Sequence, residues 1–195
     1  MPDSQLILDN VCRHIQLSES EKNIFLDLLE PRVVKRKELL LREGEICRYS
    51  TFVTKGCLRG FTMDKNGAEH ILSFAPPGWW IADMFSLLGR KPAIQRIEAL
   101  EDTDILQLSK TDQDKLYVEV PKFERFFRIL TENSLVANQQ RIIDSMSLTA
   151  EERYLLFCNR YPTLIDQLPH KQIAAYIGVT PEFFSRMLAG MLKRK

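Results

Sequence analysis

The 195 residues predict an α+β chain: an N-terminal β-roll with flanking helices, one long helix, and a C-terminal all-α domain. Three observations predict it. Between Arg32 and Leu108 short apolar runs alternate with tight-turn residues, the pattern of a small β-barrel, roll or sandwich. After Pro121 a helical period runs unbroken to about Met146. From Pro169 to Leu192 the chain reads as helix, sharp turn, helix. The corresponding domains are residues 1–120, 121–147 and 148–195.

The elements follow in order. Ser18 N-caps a first helix bearing Ile24, Phe25, Leu28 and Leu29; Glu21 completes a capping box, and Pro31 is expected to end the helix. The apolar runs Val33-Val34, Leu39 to Leu41, Ser50 to Val53, Cys57 to Met63, His70 to Phe74 and Ile105 to Leu108 then read as strands. Glu43-Gly44-Glu45, Asn66-Gly67 and Pro76-Pro77-Gly78 are turns, and Asn-Gly marks a hairpin because such turns need positive φ. Asp83 to Leu88 is a short helical interruption, with Met84, Leu87 and Leu88 expected to face inward. Ser109 to Asp112 starts another helix, and Pro121 suits the first turn of the long one. The apolar residues of that helix spread too widely for one stripe. One face fits the roll and the other a partner helix, so Phe127, Leu130 and Ala137 are candidates for a dimer seam. Thr149 with Glu152 forms a second capping box.

Composition narrows the function classes. With 45% hydrophobic and 27% charged residues the chain is neither disordered nor low in complexity. The apolar stretch Gly78 to Gly89 is too short to cross a bilayer and is broken by Asp83. The N-terminus shows no basic region ahead of an apolar core, so a cytoplasmic protein is expected. The cysteines at 12, 47, 57 and 158 form no C-x-x-C pair, and His14, His70 and His170 are far apart; packing and surface roles suit all seven. No catalytic residue, metal site or cofactor is assigned. The net charge is only +1, but residues 148–195 hold seven Lys/Arg against four Asp/Glu.

The stretch 169–192 carries the functional reading. Ile173 and Ile177 face a core, Ala174 is small where a second helix must approach, and Gly178 supplies the positive φ of the turn. Thr180 is the N-cap and Pro181 the first residue of the next helix, with Phe184, Met187, Leu188 and Met191 on one side. Glu182, Ser185, Arg186 and Ala189 fall on the other. Such a face suits a major groove: Arg186 to guanine O6 and N7, Glu182 to cytosine N4. Thr180 and the amides at the helix start suit phosphate, while Lys171 and Lys193-Arg194-Lys195 add sequence-blind attraction.

This layout resembles the Crp/Fnr family of bacterial transcription regulators over nearly the full chain: a cyclic-nucleotide-binding-like β-roll, a dimerisation helix and a helix-turn-helix. Besides the turns quoted, the run Ile97 to Thr103 carries the likeness. The resemblance implies a homodimer on an imperfect palindrome of double-stranded DNA, with RNA polymerase as a partner and an unknown small effector. It matches Glu182 and Arg186 to the family's base-reading residues, whereas Pro181 stands where the archetype has another Arg. The implied effector pocket comprises Trp80, Asp83, Met84, Ala93 and Ile94. There Ala93 replaces the Arg that pairs with the cyclic phosphate and Ile94 the adjacent hydroxyl, so no response to cyclic AMP is expected. Cys12 alone does not make an iron–sulfur cluster, and nothing singles out His70 or Cys57 as haem ligands. The chain stops at Lys195, ahead of the two-stranded wing that family members often add. Two rival readings are a small-molecule-binding roll whose helical tail mediates protein contacts, and a metal enzyme on the roll, which three scattered histidines serve poorly.

Overall fold

The computed structural model describes residues 4–194; Met1 to Asp3, and Lys195 of the basic tail, lie outside them. The chain divides into two compact units, residues 1–62 with 73–132 and residues 63–72 with 133–195.

The first unit opens with helices α1 (Ser4–Cys12) and α2 (Glu19–Asp27). Ser18 caps α2 by accepting from the Glu21 amide, and the Glu21 carboxylate accepts from the Ser18 amide in return, so the capping box is formed. The strands are β1 (Leu29–Val34), β2 (Leu39–Leu41), β3 (Tyr49–Lys55), β4 (Leu58–Met63), β5 (Glu69–Ala75), β6 (Trp80–Ile81), β7 (Arg96–Ala99) and β8 (Thr103–Ser109). They form two four-stranded sheets, β1-β8-β3-β6 and β2-β7-β4-β5, the two-sheet architecture of a roll.

Two expectations need correction here. Pro31 does not terminate α2; it lies within β1, opposite Leu106. Because β1 is an edge strand, a residue without an N–H is tolerated there. Between β6 and β7 the short helix α3 (Met84–Gly89) buries Ser86 and Leu87, while Met84 and Leu88 are exposed. A serine takes the inner position because its hydroxyl accepts from the Cys47 amide at 2.8 Å and donates to the Lys91 carbonyl at 2.6 Å.

Helix α4 (Lys110–Glu119) is capped by Ser109 and leads into α5 (Lys122–Ser147), 26 residues long. Phe123, Phe126 and Phe127 of α5 join Ile7, Val11, Phe25, Phe52, Leu106, Leu108 and Leu116 in one core. A second core fills the roll between its sheets, from Val34 and Leu58 to Ala93, Ile97 and Ile105.

The second unit is built on α6 (Ala150–Arg160), α7 (His170–Ile177) and α8 (Pro181–Lys193). The Thr149–Glu152 capping box starts α6 as the sequence predicts. Phe157, Tyr161, Leu164, Ile173, Ala174, Ile177 and Phe184 are its buried centre. Two arginines bind backbone carbonyls of segments distant in sequence. Arg153 donates to the carbonyls of Ile177 at 2.9 Å and Leu148 at 2.7 Å, where free carbonyls and the helix dipole favour a cation. Arg141 donates to the carbonyls of Ile71, Leu72 and Tyr176, and its guanidinium lies 4.0 Å from the centre of the Tyr176 ring.

Candidate functional site

The turn between α7 and α8 is set by local sequence. Gly178 ends α7 at φ +77°, with its amide and that of Val179 both bonded to the Ala174 carbonyl. Thr180 then adopts an extended conformation and its hydroxyl oxygen accepts from the Phe183 amide at 3.2 Å, while Pro181 begins α8 with no amide proton to satisfy. Phe184 is fully buried and stacks edge-on to Tyr154 at 5.3 Å and His170 at 5.5 Å. That anchor fixes the rotation of α8. Pro181, Glu182, Ser185, Arg186 and Ala189 are exposed together, as is Lys171 near the start of α7.

Electrostatics at the start of α8 differ from the sequence expectation in one respect. Free amides were expected there, yet the chain's own groups occupy them. The Phe183 amide is held by the Thr180 hydroxyl and the Phe184 amide by the Thr180 carbonyl. The Glu182 carboxyl is held below its ordinary range by its own amide, the Thr180 hydroxyl and then the Arg186 charge. The result is an ionised carboxylate steadied beside a guanidinium one helical turn away. Of the basic tail, Arg194 pairs with Glu151 at 2.8 Å, leaving Lys171 and Lys193 as the exposed lysines of this segment among the described residues.

The effector residues expected in the roll do not share one environment. Trp80 packs 5.2 Å from the Phe52 ring and 5.7 Å from the Phe127 ring, and its Nε1 donates to Asn10 at 3.1 Å. Met84 and Ile94 are exposed, whereas Ala93 belongs to the roll core. The Ala93 amide and carbonyl are bonded to Glu45 and Gly44, so the Glu43-Gly44-Glu45 turn braces this stretch.

Asp83 is the organising group. It is 1% exposed, and its carboxylate accepts from the amides of Ser86 at 3.0 Å, Ile94 at 2.9 Å and Gln95 at 3.2 Å. Three converging amides are the donor set a phosphate would use, and here an internal anion holds them. Of the nearby cations, Arg96 reaches Glu43 at 3.3 Å, and the Lys91 ammonium lies 5.8 Å from the Phe85 ring centre. Inside the roll a side chain at Gly60 would stand 2.9 Å from Gln95 Oε1 and 3.0 Å from Ser73 Oγ, so the wall is already close-packed there. Sequence reasoning placed Asp83 in the pocket but missed that it satisfies residues 94 and 95; an N-cap Asp ahead of α3 was the only signal.

On α5 the candidate seam residues also part company. Phe127 is 9% exposed and belongs to the core of its own unit, with Leu130 packed against that core and Ala137 half-buried. The exposed apolar residues are Leu135, Val136, Ile142, Ile143 and Met146. Burial pushes the Cys57 thiol up to about 12 and raises that of Cys47. His70 meets Asp64 at 3.1 Å in an exposed pair, and no cluster of potential metal ligands occurs among the described residues. None of the described helices is long and apolar enough to cross a membrane.

Comparison with known proteins adds the family context. A family model, the cyclic nucleotide-binding domain, matches residues 31–119, which span the roll and α4. The regulatory protein HlyX of Actinobacillus pleuropneumoniae is 23% identical over 198 aligned positions, covering 95% of this chain and 82% of that protein. The structure of FixK2 from Bradyrhizobium japonicum superposes with a TM-score of 0.73 at 20% identity over 85% of each chain. That of a Crp/Fnr-family transcriptional regulator from Eubacterium rectale gives 0.69 at 18% identity, over 91% of this chain and 85% of that one.

Proposed function

From the premise that the chain belongs to the Crp/Fnr family of transcription regulators, we propose that it acts as a sequence-specific, homodimeric DNA-binding protein. One observation carries the reading. Phe184 is buried, and Glu182, Ser185 and Arg186 therefore stand together on the exposed face of α8. In that role α8 enters the major groove by its N-terminal turn. Arg186 donates two bonds to guanine O6 and N7, Glu182 accepts from cytosine N4, and Ser185 bonds a neighbouring base edge. Thr180, Pro181 and Lys171 meet the sugar–phosphate backbone and fix the register. The functional division is 1–120 for the effector domain, 121–147 for dimerisation and 148–195 for DNA.

Two copies pair through α5 in this account. Leu135 and Ile142 are seven residues apart, as are Val136 and Ile143, the repeat that two helices use to pack side by side. Leu130 and Ala137 share a heptad position on the opposite side of the helix, where Leu130 packs on its own core, so the seam is formed by the exposed stripe and not by Leu130, Ala137 or Phe127. The dimer aims two recognition helices at major grooves about 34 Å apart on an imperfect palindrome, where RNA polymerase is the further protein partner.

The signal accepted by the roll is not cyclic AMP. The Arg and hydroxyl expected for the cyclic phosphate are Ala93 and Ile94, and the local amides bind Asp83. A different small effector acts by binding two arrangements of the dimer unequally.

The test is a binding titration on the selected operator at several salt concentrations. Wild type is expected to lose affinity steeply with salt, and Arg186→Ala to cost about 1–3 kcal/mol and relax preference at one base pair. Salt-insensitive binding, or identical preference in the two proteins, rejects the proposal in favour of a roll whose helices contact proteins.

A further inference from the structure

We propose that Phe183 is a specificity-determining residue that contacts the 5-methyl group of a thymine beside the base pair met by Arg186. This rests on the DNA-binding reading above and extends it to a residue whose type alone signals no base contact.

The two consecutive phenylalanines of α8 have opposite fates. Phe184 is 0% exposed, whereas Phe183 is 45% exposed. Its backbone is not loose: the Phe183 amide is bonded to the Thr180 cap, so the ring starts from a fixed point in the first turn of the helix. Phe183 and Arg186 are three residues apart and Glu182 and Arg186 four apart, spacings that make them neighbours on a helix surface. A phenyl ring therefore sits among the groups assigned to base reading. The other large exposed hydrophobic residue of α8, Leu192, lies nine residues further on, about 14 Å along the helix axis.

The chemistry of the neighbours selects the ligand. Glu182 is exposed, with its carboxyl held below the ordinary range, and repels phosphate, while in the DNA-binding reading Arg186 meets a purine edge. An uncharged ring beside Arg186 has no bond to offer an amino, carbonyl or phosphate group. The apolar feature of the major groove is the thymine 5-methyl, and an aromatic side chain is one of the groups that packs on it. Pro181 and Ala189, also exposed on α8, add further apolar surface and leave the polar readout to few residues.

The test isolates one methyl group. Once the operator is selected, each thymine in one half-site is replaced singly by deoxyuracil, which removes the methyl and keeps the base pair. Wild type is expected to lose about three- to fivefold in affinity at one position and nothing elsewhere, the effect of a buried methyl. Phe183→Ala should bind thymine and uracil operators equally, and Phe183→Leu should keep part of the difference. Arg186→Ala should bind more weakly yet retain the thymine preference. Because Phe183 is exposed, its variants should match wild type in circular dichroism and melting temperature. If wild type selects an operator but shows no penalty for uracil, or Phe183→Ala retains the penalty, the Phe183 assignment is wrong while the DNA-binding reading stands. If wild type selects no sequence at all, both are overturned.

Discussion

Two places in this molecule offer the chemistry of anion recognition, and they have been treated in opposite ways. In the roll, the amides of Ser86, Ile94 and Gln95 converge on a point 1% exposed, and Asp83 fills it. At the start of α8 the amides are likewise held by the chain's own groups, but the side chains beyond them, Glu182, Ser185 and Arg186, are exposed. The first place is closed and structural. The second is internally tied and externally open. Satisfying backbone donors from within excludes a phosphate where the surroundings are buried, whereas at an exposed helix start it steadies the side chains that meet a partner.

The contrast can be broken most forcibly at Asp83. Replacing it with alanine strands three amides, two of them part-buried and one buried, and is expected to lower stability by about 3–5 kcal/mol in chemical denaturation. A loss below about 1 kcal/mol would show that water replaces the carboxylate and that the point is open. In the second unit, Arg141→Ala removes three carbonyl bonds and the contact with Tyr176. It is expected to cost about 2–4 kcal/mol, read by thermal unfolding. Arg141→Lys should recover only part, because an ammonium cannot make the planar fork.

A smaller effect is expected at the cap. Thr180→Ala frees the Phe183 amide and should cost about 1 kcal/mol of stability. Weaker operator binding should accompany it, since Glu182 loses a hydrogen-bond partner. The smallest effect is a titration. The Glu182 carboxyl is depressed below its ordinary 4.5 by its own amide, Thr180 and Arg186, so it takes up its proton at a lower pH than an ordinary glutamate. The corresponding stabilisation is present above the unfolded value and is lost only as pH drops through the lower folded one. A carboxyl carbon NMR midpoint at or above 4.5 would remove this part of the account.

The parts of the fold that were legible in the sequence are those decided within a few residues. The capping boxes at Ser18 and Thr149 each need only a partner three positions on, and the turn at Gly178 needs only its own φ. The same holds for α8, where Thr180, Pro181 and the spacing of Phe184 from Arg186 fix the exposed face. What escaped depends on distant partners. Pro31 is acceptable in a strand because β8 pairs with only one side of it, 75 residues away in sequence. Ser86 displaces Met84 and Leu88 from the interior because its hydroxyl has partners at Cys47 and Lys91. Phe127 carries the right spacing for a seam, yet Trp80 and Tyr117, from other elements, enclose it. The two-faced character of α5 was readable; which apolar residue serves which face was not.

The claim on which the rest depends is that the hydrophilic side of α8 reads base pairs. Selection of bound duplexes from random DNA by wild type and by Arg186→Ala tests it most directly. The account predicts an imperfect palindrome with half-sites about one helical turn apart for wild type, and for the variant the same palindrome with a single base pair in each half-site gone degenerate. Recovery of unenriched sequence by wild type, or an identical motif from both proteins, would contradict it.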